Sequence, residues 1–128
     1  MTNTPTDSIP DDSRSIADAC VCVCEERLAT DVRLYDVSKT SLLADYYLIC
    51  TGNSDPHIRA IAGEIEKALK ERGLYASQVE GVPASHWMIL DYGVVMIHIF
   101  HPDTRKYYCL EELWPEDAVV YSSEDVPR

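Results

Sequence analysis

The run YYLICT, Tyr46 to Thr51, shows no alternation of polar and apolar residues, and this most constrains the fold. A strand that is apolar on successive residues needs cover on both faces, which suits a central position in a sheet with helices packed on it. Gly52, Asn53 and Ser54 end the run, and Asp55 followed by Pro56 reads as a helix start. Asp can cap the first free amides, and proline in the first turn forfeits no hydrogen bond. Ile58, Ile61, Ala62, Ile65 and Leu69 then recur at helical spacing as a buried stripe, with Gly73 as the left-handed stop.

The flanking segments complete an α/β pattern. Ile16, Ala19, Cys20, Val23, Cys24, Arg27 and Leu28 predict an amphipathic helix over 15–29, and residues 32–37 read as a strand. Further strands are expected over 75–79, 86–91 and 94–100, the last two as a hairpin around Tyr92 and Gly93, with a short helical end reaching Trp114. The order α-β-β-α-β-β-β-α predicts one α/β domain with a mixed five-stranded sheet and helices packed on it, spanning 15–114. Residues 1–14 are expected to be a disordered acidic lead-in and 115–128 a poorly ordered acidic tail.

At 128 residues and 46% hydrophobic content, such a domain can bury a core without disulfides or a structural metal. No apolar run approaches a membrane span, and the N-terminus lacks an apolar signal core, so a soluble, cytoplasmic protein is expected. Cys20, Cys22 and Cys24 form no Cys-x-x-Cys pair; on a helix Cys20 and Cys24 share a face while Cys22 points elsewhere, so no metal role is expected. The net charge of −11 divides into −2 over residues 1–14, −6 over 15–114 and −3 over 115–128. An acidic domain is a poor partner for phosphates, so little direct nucleic-acid contact is expected; it is better suited to a basic protein. Plain solubility explains the same charge.

A two-residue turn would set Asp91 opposite Val94 and Trp87 opposite His98. Met88, Leu90, Val95, Ile97 and Ile99 then share the face expected under the helices. Trp87, Ile89, Asp91, Met96 and His98 share the other face, whose mix of an aromatic, an adaptable thioether and polar groups suits protein binding. The alternative is that Trp87 caps the core and Asp91 edges a solvated strand. Tyr92 is not the Asn or Gly that a tight turn prefers, so a longer turn with a shifted register also stands open.

Two stretches carry a resemblance to a known family. The first is LADYYLICTGNSDPHIRAIAGEIEKAL, from Leu43, and the second is WMILDYGVVMIHIFHPDTRKYYCLEELW, from Trp87. In order and spacing they resemble the ribosomal silencing factor family, RsfS or iojap, over about residues 16–114. The resemblance implies a nucleotidyltransferase-like topology and a non-enzymatic role. It implies docking on the large ribosomal subunit through its fourteenth ribosomal protein, blocked joining of the small subunit, and translational silencing when nutrients are scarce. A homodimer is implied for the free protein. The family's contact patch, carried over, falls on Trp87, Asp91 and Tyr92, with His98 nearby. Val94 departs from the pattern, which has an acidic residue after the glycine.

Two alternatives remain. One is a large-subunit assembly role using the same patch. The other is an enzyme, because Gly52-Asn53-Ser54 before a helix resembles the phosphate loop of nucleotidyltransferases. Metal-dependent nucleotidyl transfer needs converging carboxylates, and the chain holds no Asp-x-Asp, so no catalytic residue and no cofactor are expected. His57 and Arg59 read as a solvated face, and Tyr107 and Tyr108 as packing the chain end onto the sheet.

Overall fold

The computed structural model describes residues 13–41 and 44–123. The expected lead-in up to residue 12 and the last five residues of the expected tail lie outside them. In chain order the elements are α1 (Ser13–Glu26), β1 (Thr30–Asp36), β2 (Tyr46–Thr51), α2 (Asp55–Lys70), β3 (Gln78–Glu80), β4 (Trp87–Asp91), β5 (Val95–Phe100), α3 (Pro102–Tyr108) and β6 (Val119–Ser122). The sheet runs β3-β4-β5-β2-β1-β6, with β2 parallel to β5 and every other pairing antiparallel.

The sheet has six strands where the sequence predicts five. The sixth, β6, is drawn from the segment expected to be a poorly ordered tail. VVYS is β-branched and aromatic, and it pairs antiparallel with β1, Leu34 opposite Tyr121. The Ser123 hydroxyl extends the contact by accepting the Val32 N–H at 2.9 Å, and the Tyr121 hydroxyl donates to Glu25.

β2 lies between β5 and β1 with Leu48, Ile49 and Cys50 fully buried, so the unalternating run is covered on both faces. One cover is the helical layer. The stripe Ile58, Ile61, Ala62, Ile65 and Leu69 of α2 packs with Ile16, Ala17, Cys20, Val21 and Cys24 of α1 onto Leu34, Leu48, Leu90, Val95, Ile97 and Ile99. The buried side of α1 thus takes in Ala17 and Val21 beyond the expected stripe, while Ala19 is only partly buried and Val23 packs at the edge of the core. The helix ends at Glu26, and Leu28 turns out at φ 60° and is exposed.

Ser54, not Asp55, caps α2: its hydroxyl accepts the His57 N–H at 3.2 Å, while Asp55 and Pro56 occupy the first turn. Gly52 is there for space, since a Cβ would sit 2.7 Å from Ile58 Cγ1. His57 is not a solvated bystander. Its Nδ1 accepts the Asn53 N–H at 2.9 Å and its Nε2 lies 2.7 Å from the Arg27 carbonyl, tying the α1 end to the start of α2.

Cys20 and Cys24 face the core and Cys22 faces solvent, as the helical spacing predicts. Cys24 Sγ lies 3.8 Å from Cys50 Sγ, and that thiol contact together with burial holds the Cys24 pKa well above the ordinary range. Burial pushes Cys20 up to about 12. Such thiols stay protonated and act as small core residues.

Candidate functional site

The opposite face of the sheet is only partly covered. Over β1 and β2, the chain after α3 lays Leu110, Trp114, Ala118 and Val119 onto a smaller cluster of Tyr35, Val37, Ile49 and Phe100. Over β4 and the start of β5, Ile89, Asp91 and Met96 remain partly exposed. Trp87 sits at the boundary.

The hairpin register differs from the two-residue expectation. Asp91 pairs with Met96, Ile89 with His98 and Trp87 with Phe100. The Tyr92 N–H donates to the Val95 carbonyl at 3.0 Å, and one Asp91 carboxylate oxygen accepts the Gly93 N–H at 2.8 Å, with Gly93 at φ +78°. A longer turn follows. Because the shift is by two residues, every side chain stays on its expected face. Met88, Leu90, Val95, Ile97 and Ile99 lie beneath the helices, and Trp87, Ile89, Asp91, Met96 and His98 lie opposite.

Trp87 is held by three aromatic neighbours. Its ring stacks on Phe100 at 4.8 Å and meets Tyr108 at 4.8 Å, and its Nε1 donates to His98 Nδ1 at 3.1 Å. His98 lies on the expected face but is 5% exposed, so its role is to support Trp87 from below. Burial lowers its pKa to about 4, and the ring is neutral near pH 7.

Tyr92 does not join this group. It packs against the helix-side core, where burial first and then Glu66 push its hydroxyl up to about 12. Strand alternation contains that signal, since Tyr92 follows Met88 and Leu90 at steps of two.

Of the two tyrosines expected to pack the chain end onto the sheet, Tyr108 does so against Trp87 while staying half exposed, and Tyr107 belongs to the surface. Tyr107 is 81% and Tyr108 53% exposed, with ring centroids 5.0 Å apart at 88°. With Ser85, Trp87, Asp103 and Thr104 they line an open groove of about 410 Å³. Tyr108, Trp87, Ile89 and Met96 thereby make an apolar strip with Asp91 and Asp103 among them. Half-buried aromatics on a rigid hairpin with acidic groups beside them have the composition that suits a protein-binding surface.

The other side of α3 borders a second cavity, of about 560 Å³, lined by residues including Thr30, Asp31, Thr51, Lys106, Glu112 and the buried Arg105. Arg105 is 6% exposed. Its Nε donates to Glu111 at 2.8 Å, and its Nη1 donates to the Asp31 carbonyl at 2.6 Å and to Thr51 Oγ1 at 2.8 Å. One guanidinium thus fastens α3 to β1, β2 and the turn that follows it.

The phosphate-loop resemblance finds its groups already engaged. The Asn53 N–H is taken by His57, the Ser54 hydroxyl by the helix cap, and Gly52 by contact with Ile58. Among the described residues no group of three or more His, Cys, Asp or Glu is placed to hold a metal ion.

A family model described as "Ribosomal silencing factor during starvation" matches residues 10–128. A Bacillus subtilis protein named ribosomal silencing factor RsfS is 42% identical over 101 residues, covering 79% of this chain and 86% of the relative. A mouse protein named "Mitochondrial assembly of ribosomal large subunit protein 1" is 32% identical over 100 residues, 76% of this chain and 44% of that protein. Among solved structures, one from Bacillus halodurans superposes with a TM-score of 0.74 at 35% identity, covering 84% of this chain and 98% of the other. One from Chromobacterium violaceum gives 0.78 at 26% identity, covering 89% and 97%. The Bacillus subtilis and mouse relatives carry the names of a silencing and an assembly factor, and the family match takes in β6, which the sequence alone assigns to the tail. The chain belongs to the ribosomal silencing factor family.

Proposed function

We propose that the protein binds the large ribosomal subunit through its fourteenth ribosomal protein, blocks joining of the small subunit and represses translation when nutrients are limiting. The observation that carries the reading is the half-covered sheet face on a chain of this family: Trp87, Tyr108, Ile89 and Met96 are presented on rigid elements with Asp91 and Asp103 beside them. Such a strip supplies aromatic anchors, and the net charge of −11 favours a basic protein over bare RNA. The work is done in the cytoplasm, where ribosomes are. Among the described residues no helix is long and apolar enough to cross a membrane. In the absence of ribosomes, the same strip is the natural place for a second copy to pair.

Binding without catalysis is the proposed mode. A central β2–α2 unit beside a parallel β5 supports the nucleotidyltransferase-like topology that the family resemblance implies, but the loop that would hold phosphate is occupied by its own helix cap. The name of the mouse relative supports a second reading, in which the same surface acts on an immature large subunit.

The test is cosedimentation. The protein should travel with purified large subunits and not with small ones, and preloading large subunits should prevent their joining. Cosedimentation with small subunits alone, or unimpeded joining of loaded large subunits, would overturn the silencing reading. Binding confined to immature large subunits would favour assembly.

A further inference from the structure

We propose that the groove beside Trp87 is a cation slot that takes an arginine or lysine side chain from the protein partner. The inference rests on reading this face as the docking surface and specifies what enters it.

The walls are aromatic. Trp87 and Tyr108 stand 4.8 Å apart, and Tyr107 meets Tyr108 edge-on at 5.0 Å. The groove is open, and at about 410 Å³ it has room for a long side chain. Trp87 is engaged by Phe100 and Tyr108 and forms the floor, while the exposed faces of Tyr107 and Tyr108 carry negative quadrupole charge and attract cations, arginine above all. Asp103 is the one charged side chain among the lining residues.

Charge is sorted around α3. At 3.6 residues per turn, Asp103, Thr104 and Tyr107 fall toward the groove, whereas Arg105 and Lys106 line the cavity on the other side of the helix. Arg105 is further removed by its bonds to Glu111, Asp31 and Thr51. The groove therefore holds a carboxylate and three aromatic rings with no cation of its own. An apolar partner side chain would fill the space but leave Asp103 partly desolvated against nothing, a cost that a guanidinium or ammonium removes. The acidic chain as a whole selects the same kind of partner.

Two measurements on the full chain test this. In the first, N-acetyl-arginine methylamide is titrated into ¹⁵N-labelled protein, with N-acetyl-leucine methylamide as the apolar probe. The arginine probe should shift the Trp87 indole and the Tyr107 and Tyr108 amides saturably, and the leucine probe should not. Tyr108→Phe should keep the response, while Tyr108→Leu and Asp103→Asn should each weaken it by about two- to fivefold. In the second, the same variants are measured against large ribosomal subunits, where Tyr108→Leu and Asp103→Asn should raise the dissociation constant and Tyr108→Phe should not. Equal shifts from both probes, the absence of a saturable local shift, or indifference to Tyr108→Leu and Asp103→Asn would each overturn the slot. If wild-type protein binds large subunits while the probes are silent, the slot fails and the docking reading stands. If the probe seats but large subunits are not bound, the reverse holds.

Discussion

Trp87 Nε1 donates a hydrogen bond to Nδ1 of His98 at 3.1 Å, joining a half-buried aromatic at the edge of the strip to a histidine that is itself buried. Because Nδ1 accepts, the proton of the neutral ring resides on Nε2, which lies buried without a hydrogen-bond partner among the described residues. Protonating Nδ1 destroys the bond to Trp87 and places a charge beneath three rings. The anchor and its support are therefore coupled through one proton.

A pH dependence follows. Burial lowers His98 from 6.5 to about 4 in the folded protein, so between those values the unfolded chain binds the extra proton. The contribution of His98 is fully present above pH 6.5, falls as pH drops and is lost below about 4. Denaturant titrations at pH 7.5 and 5 should differ by on the order of 2 kcal/mol more in wild type than in His98→Gln, which has no proton to gain. Equal pH dependence in the two would show that His98 titrates normally.

The two sheet faces should separate stability from binding. Leu90→Ala opens a cavity under the helices and should cost about 2–5 kcal/mol of stability, with little change in affinity for large subunits. Tyr108→Ala, at a half-exposed ring, should do the reverse, leaving the melting temperature nearly unchanged while binding weakens by about 2 kcal/mol. Trp87→Ala should lower both, since the ring also covers Phe100 and His98. If Leu90→Ala weakened binding and left stability intact, the faces would be inverted.

The faces were legible because strand periodicity is two, and the actual register moved by an even number, so the sorting of Met88 from Trp87 survived a wrong turn. The stripe of α2 was legible for the same kind of reason. Three features were not. VVYS stands between Glu116 and Glu124 in an acidic stretch, and only pairing with β1 makes it a strand. Tyr107 reads as a packing residue like Tyr108 because local spacing does not reveal that Leu110, Trp114 and Val119 cover the neighbouring face and leave it exposed. Tyr92 entered the patch through family resemblance against its own alternation, and the fold sides with alternation.

Asp91 has two roles that different substitutions should resolve. One carboxylate oxygen holds the turn through Gly93 N–H, while the charge faces the exposed strip. Asp91→Asn keeps an acceptor for the turn and removes the charge, so stability should hold while association with large subunits slows and loses part of its salt dependence. Asp91→Ala should lose the turn bond as well, at about 1 kcal/mol of stability. Identical stability losses in both variants would place the effect on the charge and not on the turn.

Arg105 should be the residue on which the geometry of the strip depends without touching a partner. Its guanidinium is buried and bonded to Glu111, Asp31 and Thr51, and it sits two residues before Tyr107 on α3. Arg105→Met leaves the Glu111 carboxylate without its cation, while Asp31 keeps Arg33 at 3.0 Å, and should cost about 3–5 kcal/mol, the range for breaking a buried pair from one side. Arg105→Lys keeps the charge but not the fork that reaches three partners, and should fall between. Replacing both members, Arg105→Met with Glu111→Leu, should recover part of the loss, because no buried charge is then left alone. In all three variants, at temperatures where the domain remains folded, the near-ultraviolet signal of Trp87 and Tyr108 should change together with affinity, since α3 carries one ring to the other. A variant that lost stability with both signal and affinity intact would show that Arg105 serves the core alone.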